Sequence, residues 1–177
     1  MILHGVPARY SDAMTEPKFD KRNSFYIFGG TGTGKTYLAC SIINISKSNH
    51  GGKSEIRLVS VPSLVMEYRN IPFADKEELI KRYSMGMVIF DDIGAEYQSE
   101  FSQEFILMIL DSRWNNQSWT GFTSNLSIDK LPYGDRIKSR IAGIATGNIH
   151  NMDGKDRRLD LIKNRSKDNE NIRITKD

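Results

Sequence analysis

Short apolar runs rich in β-branched and aromatic residues alternate along the chain with longer stretches in which apolar positions recur at helical spacing. Residues 24–28 read as a buried strand, followed at once by glycines and then by a helix over 35–46. Residues 56–60, Ile-Arg-Leu-Val-Ser, form a second strand, and Pro62 stands where a first helical turn tolerates it, opening a helix toward Arg69. A helix over 75–84 carries Asp75, Glu77 and Glu78 in its first turn, where the helix dipole favours acids. Residues 87–90 give a third strand. Phe101, Phe105, Met108 and Ile109 recur at helical spacing, which predicts a helix over 99–114 with one buried face. A fourth strand over 119–123, a helix over 135–142 and a weaker fifth strand over 144–149 complete the series. Strands alternating with helices predict a parallel sheet covered on both faces, an α/β sandwich.

The two ends break the pattern. Residues 1–23 mix Pro, Asp, Lys and Arg without sustained periodicity and read as an extended lead-in; from Lys163 onward the chain is almost wholly polar and reads as a flexible tail, 163–177. One domain, 24–162, is expected between them. At 177 residues with 38% hydrophobic side chains and a net charge of only +3, the chain can bury a core, which excludes disorder as the whole answer. The longest unbroken apolar run, 105–110, falls far short of the roughly 20 residues of a membrane span. The N-terminus lacks the pattern of a secretory signal, so the cytoplasm is the expected location. The basic excess lies at the C-terminal end, a solvated face or a contact for phosphates. Cys40 has no disulfide partner and reads as a small buried side chain; His4, His50 and His150 have no metal-ligand spacing.

The strongest chemical signal is Gly29-Gly30-Thr31-Gly32-Thr33-Gly34-Lys35-Thr36, a full G-x-x-x-x-G-K-[ST] between a predicted strand and a predicted helix. Glycines permit backbone angles and close approaches that a Cβ forbids, so successive N–H groups converge on phosphate oxygens. Lys35 is expected to neutralise the β and γ phosphates, and the Thr36 hydroxyl to ligate Mg²⁺; Tyr37 follows within reach of the nucleotide. Asp91 and Asp92 end the third strand, on the sheet edge that carries the phosphate loop. Asp91 is the candidate holder of Mg²⁺, and Asp92 the candidate to orient or deprotonate the water attacking the γ-phosphate. ATP or ADP with Mg²⁺ is thus the expected cofactor, and hydrolysis the expected chemistry.

Further segments carry a resemblance. Asp91-Asp92-Ile93-Gly94, Thr123-Ser124-Asn125-Leu126, the stretch from Gly134 to Arg140, Gly154-Lys155-Asp156-Arg157-Arg158 and the lead-in Gly5-Val6-Pro7-Ala8-Arg9-Tyr10 occur in an order similar to that in AAA+ ATPases of the DnaC/DnaI helicase-loader and IstB transposition-helper group. The resemblance covers roughly residues 5–160. It implies a P-loop NTPase three-layer sandwich around a five-stranded parallel sheet, without a C-terminal lid domain. It implies a sensor role for Asn125 near the γ-phosphate, and a trans arginine role for Arg140, reaching a neighbour's nucleotide, with Arg136 one turn earlier as an adjacent candidate. It also implies a phosphate-contacting role for Arg158, with Arg157 beside it, and an adenine pocket lined by Val6 and Tyr10. The partners so implied are further copies of the chain, single-stranded DNA and a replicative helicase or other replication protein. Tyr68, Arg69, Lys81, Arg82 and Tyr83 are the candidate DNA-facing residues. Only about 28 residues precede the phosphate loop, so the partner-binding domain of helicase loaders is not in this sequence. The activity expected is that of an ATPase acting in DNA replication; a transposition helper and a non-catalytic regulator switched by nucleotide are the alternatives.

Overall fold

In the computed structural model, which describes residues 5–51, 55–154 and 156, five strands form one sheet. In chain order the elements are β1 (Phe25–Phe28), α1 (Lys35–Asn49), β2 (Arg57–Ser60), α2 (Val61–Asn70), α3 (Phe73–Ser84), β3 (Val88–Asp91), α4 (Glu100–Asn115), β4 (Thr120–Ser124), α5 (Asp135–Ile144) and β5 (Ile149–Asn151). The strand order is β2-β3-β4-β1-β5, and every pairing is parallel. This is the α/β sandwich around a five-stranded parallel sheet that the sequence resemblance implies.

Strand periodicity explains the two cores. Odd positions of β1, Phe25 and Ile27, join Leu58 of β2 and Ile89 of β3 on one face, covered by Leu38, Ala39, Ile42 and Ile43 of α1. Tyr26, Val59, Val88, Phe90 and Phe122 face the opposite way, against α2, α3, α4 and α5 through Leu64, Leu79, Phe105, Ile109 and Ile137. Gly121 sits in central strand β4 because Phe25 fills the space a Cβ would need. Ser99 opens α4 with a reciprocal capping box: its hydroxyl accepts from the Ser102 backbone N–H while its own N–H donates to Ser102 Oγ.

The fifth strand departs from expectation. Residue 144 ends α5, a turn through Gly147 at φ 73° intervenes, and β5 occupies only Ile149–Asn151. This edge strand, with two of its three residues exposed and only Ile149 apolar, offers little of the pattern by which strands are read. Its place is fixed by pairing with β1 from Tyr26↔Ile149 to Phe28↔Asn151. The predicted tail 163–177 and the question of a lid lie outside the described residues.

The lead-in follows the α1 face. Asn44 of α1 donates from Nδ2 to the carbonyls of Tyr10, Ser11 and Ala13, each at 3.0 Å, pinning the segment after its short 3₁₀ turn (Ala8–Tyr10).

Candidate nucleotide site

The phosphate loop runs from the end of β1 into the first turn of α1. Gly29 (φ 152°), Gly32 (φ 77°) and Gly34 (φ 103°) adopt angles that side chains resist. Neighbours press on the first two: the Met152 backbone backs Gly29, and the Asp156 carboxylate lies against Gly32. Thr33 Oγ1 donates to the Gly30 carbonyl at 3.0 Å, closing the loop on itself. No side chain caps the N-terminus of α1, so its first N–H groups and dipole face the loop, an arrangement suited to an anion. Lys35 is buried, and its Nζ donates to the carbonyls of Gly29 and Gly30 at 2.8 Å each. Its charge is thereby held at the centre of the loop.

Asp91, the last residue of β3, meets this loop directly. Thr36 Oγ1 shares its proton between the two Asp91 carboxylate oxygens at 3.1 and 3.2 Å, and Thr123 of β4 donates to Oδ1 at 2.5 Å. Burial pushes the Asp91 carboxyl up to about 6, opposed by the Thr123 hydrogen bond; Asp92 raises it further, while Thr36 and Lys35 lower it. A hydroxyl and a buried carboxylate on one side of a phosphate loop are oxygen donors matched to a hard divalent cation. Among the described residues no group of three or more His, Cys, Asp and Glu side chains could hold a metal by itself. Thr36 and Asp91 are residues that could hold Mg²⁺ here.

Asp92 is partly exposed beside buried Asp91. Its backbone is left-handed at φ 57°, a conformation that aspartate tolerates better than most residues, and its N–H donates to Thr123 Oγ1 at 3.0 Å. Thr123 thus fixes both acids, accepting from one backbone and donating to the other carboxylate. The loop beyond is held by buried Glu96, which accepts from Tyr133 Oη at 2.5 Å and from the Gly94 N–H at 3.0 Å. Burial, foremost, and then the charge of Glu96 push the Tyr133 phenol upward, so it remains a hydrogen-bond donor. Asn125 is exposed and directly follows β4, which pairs with β1 at Phe28↔Ser124 and also pairs with β3. It stands between the loop and the acid pair.

The structure does not bring Arg140 to the loop of its own chain. Arg140 and Arg136 lie on α5, and both bind Asp111 of α4, at 2.5 and 2.7 Å. Arg157 and Arg158 lie outside the described residues. Val6 and Tyr10 pack at the margin of the core under α1, with Tyr10 edge-on to Tyr37 at 6.0 Å. The cavity beside Gly34 and Tyr37, ≈ 250 Å³, is lined instead by residues 15–19, Leu38, His150 and Met152. Val6 and Tyr10 are not among its lining residues. Phe19 and His150 stack at 4.5 Å with their planes 14° apart, forming a flat aromatic wall. No motif marks Pro17, Phe19, His150 or Met152 in the sequence; the pairing of β5 with β1 brings the last two to the loop.

The DNA-facing set needs correction. Tyr68 and Tyr83 are buried, Tyr68 stacking on Phe105 at 3.9 Å, because these positions face the sheet. Lys81 and Arg82 pair with Glu77 and Glu78 on their own helix. Among the described residues no acid pairs with Arg69, the exposed member of the five that lines a groove of ≈ 530 Å³ with Met66, Lys76, Tyr97 and Phe101.

Comparison with known proteins agrees with this geometry. The family described as "IstB-like ATP binding protein" matches residues 4–135, a span holding the phosphate loop, both acids and Asn125. The chain belongs to that family. Among curated relatives, the replicative helicase loader DnaC of Buchnera aphidicola subsp. Baizongia pistaciae is 30% identical over 131 residues, and that of Escherichia coli K12 is 25% identical over 128. Each alignment covers 70% of this chain and 52% of the loader, so the chain spans about half the length of these relatives. The crystal structure of DnaI superposes with a TM-score of 0.62 at 26% identity, covering 84% of this chain and 81% of that one. A replication initiator DnaA bound to AMPPCP and single-stranded DNA has the same fold, with a TM-score of 0.67 at 17% identity over 92% of this chain and 56% of that one. This IstB-like chain is therefore an AAA+ module of the DnaC type.

Proposed function

We propose that this protein binds Mg-ATP at the phosphate loop, hydrolyses it in assemblies of several copies, and serves DNA replication as a helicase loader or related accessory factor. The observation that carries the reading is the joining of Thr36 and Asp91 across the loop, with Thr123 tying in the Asp92 backbone. The kinship with DnaC supports the replication role. Lys35 and the loop N–H groups bind the β and γ phosphates, and Thr36 and Asp91 would hold Mg²⁺, which would supply positive charge against the developing negative charge. Asp92 orients the attacking water, assisted by Asn125. The base enters the cavity beside Tyr37 and lies near the Phe19–His150 wall.

Arg140 of this chain's own α5 is engaged by Asp111 of α4 rather than by the loop, and charge on the transferring phosphoryl group is met by Arg140 of a neighbouring copy. Single-stranded DNA follows the groove at Arg69, Lys76, Tyr97 and Phe101. The expected result is ATP turnover that rises more steeply than linearly with protein concentration, and that disappears in Lys35→Ala together with the calorimetric heat of ATP binding. Turnover per subunit that is independent of concentration sinks the trans arginine. A role as transposition helper is the second reading, favoured by the family match itself. Stimulation by a transposase partner but not by a replicative helicase selects it.

A further inference from the structure

For Arg140 to reach a neighbour, a long side chain has many rotamers to lose. The structure shows it already fixed. Its Nε donates to Asp111 Oδ1 at 2.5 Å, while Asp111 Oδ2 accepts from Arg136 Nη2 at 2.7 Å. The guanidinium lies over the Trp114 ring, 5.6 Å from its centroid. Asp111 and Trp114 are three apart on α4, and Arg136 and Arg140 four apart on α5, so the four side chains meet along one helix seam. Gly143 makes the close crossing possible: a Cβ there would stand 2.6 Å from Trp114 Cζ3.

We propose that Asp111 is the positioning residue for the trans arginine, holding Arg140 by its Nε edge so that the opposite edge is presented to the nucleotide of the neighbouring copy. Among the described residues no hydrogen bond engages either η nitrogen of Arg140. A guanidinium gripped at Nε keeps its two-pronged face for phosphate oxygens, and the aromatic ring beneath it limits rotation out of that plane. Arg136, with a side chain 68% exposed, takes the other oxygen and keeps the carboxylate from turning. A fixed donor reaches the transition state without first being ordered.

This inference rests on the reading of Arg140 as acting in trans, and a subunit-mixing experiment separates the two. An acceptor carrying Arg140→Ala keeps its own loop and acids; a donor carrying Asp92→Asn keeps its arginine but loses its own turnover. Mixing them is expected to restore ATP hydrolysis. No restoration overturns the trans reading and the inference with it. Asp111→Asn is then placed in one partner at a time. An amide offers one acceptor oxygen where two arginines need two, and its NH₂ opposes the second guanidinium. In the donor it should lower the restored kcat at least about tenfold, on the scale of a small misplacement of a reacting group, with the KM for ATP unchanged. In the acceptor, whose arginine is already gone, it should leave restoration intact. Equal losses in both arms mean that Asp111 merely supports the α4–α5 packing, and undiminished restoration with the altered donor means that Arg140 needs no holder; either result overturns the proposal.

Discussion

Arg113 is fully buried at the N-terminal edge of the sheet, and among the described residues its hydrogen-bond partners include no carboxylate. Its guanidinium donates to Thr120 Oγ1 at 2.9 Å and to the carbonyls of Tyr83 (2.7 Å), Gly86 (2.8 Å) and Trp119 (2.6 Å), and it lies 5.5 Å from the Phe90 ring centre. Burial, and secondarily the charge of Arg57, bring its pKa down to about 10, so it stays charged at neutral pH, compensated by carbonyl dipoles. One side chain thus fastens the end of α3, α4 and the start of β4. Lysine lacks the planar fork that serves acceptors in several directions. Arg113→Lys is expected to cost about 2–3 kcal/mol and Arg113→Ala about 3–5 kcal/mol in urea unfolding, through orphaned buried acceptors. An effect below about 1 kcal/mol would contradict that role. Asp91 presents the opposite case, a buried acid raised from its ordinary 3.8 to about 6 chiefly by burial. The folded state holds that proton more tightly than the unfolded chain, so the group favours folding below about pH 4 and loses that advantage as pH rises through about 6. The difference is of the order of 3 kcal/mol. In the absence of nucleotide and magnesium, Asp91→Asn should therefore raise Tm at pH 7.5 and flatten its dependence on pH between 4 and 7, while abolishing magnesium-dependent ATP turnover. A lower Tm for that variant would mean that the ionised carboxylate is a net stabiliser.

Among the elements, β4 shows how tightly the site depends on the sheet. It lies between β3 and β1, so its end holds Thr123 against the acids and Asn125 beside the loop. Its register rests on Gly121, where the Phe25 ring occupies the space of a Cβ. Gly121→Ala should destabilise the fold by about 1–3 kcal/mol, the usual range for overpacking a filled core, measurable by denaturant unfolding. Phe25→Leu in the same chain should recover part of that loss, a coupling that a purely local effect of alanine would not produce. The central elements were legible because chemistry and pattern coincide in them: β1 and β3 are apolar runs buried on both faces, β4 is buried throughout around Phe122, and the phosphate loop is a contiguous motif. Where the sequence reading strayed, local pattern and tertiary context diverged. β5 is a three-residue edge strand placed by pairing with β1, and Tyr68 and Tyr83 have the composition of a DNA surface but the helical phase of a core. The cavity wall of Phe19 and His150 joins residues 131 positions apart, which no local pattern encodes.

Across the whole molecule the C-terminal ends of β1, β3 and β4 gather the candidate nucleotide-site residues, while the exposed apolar residues Met66, Phe73, Tyr97 and Phe101 belong to α2, α3, α4 and the loop before α4. That surface has the parts needed to hold an unpaired strand. Lys76 lies 4.8 Å from the Tyr68 ring centre and 4.9 Å from that of Phe101, Arg69 stands exposed at the groove, and Tyr97 is 80% exposed. Aromatic faces stack on any base, and cations track the backbone, so affinity without strong sequence preference is expected. Each phosphate neutralised contributes roughly 0.7 to the slope of log affinity against log salt for a single strand. Arg69→Ala with Lys76→Ala should therefore flatten that slope by about 1.4, whereas Tyr97→Ala should weaken binding by about 1–3 kcal/mol with the slope intact. Fluorescence anisotropy with a labelled oligothymidine over a salt series measures both. The division between slope and intercept matters more than either loss alone, since generally misfolded variants would lose affinity without sorting charge from stacking. If the double variant and Tyr97→Ala both bind as the parent does at every salt concentration, this groove is not where a single strand is held.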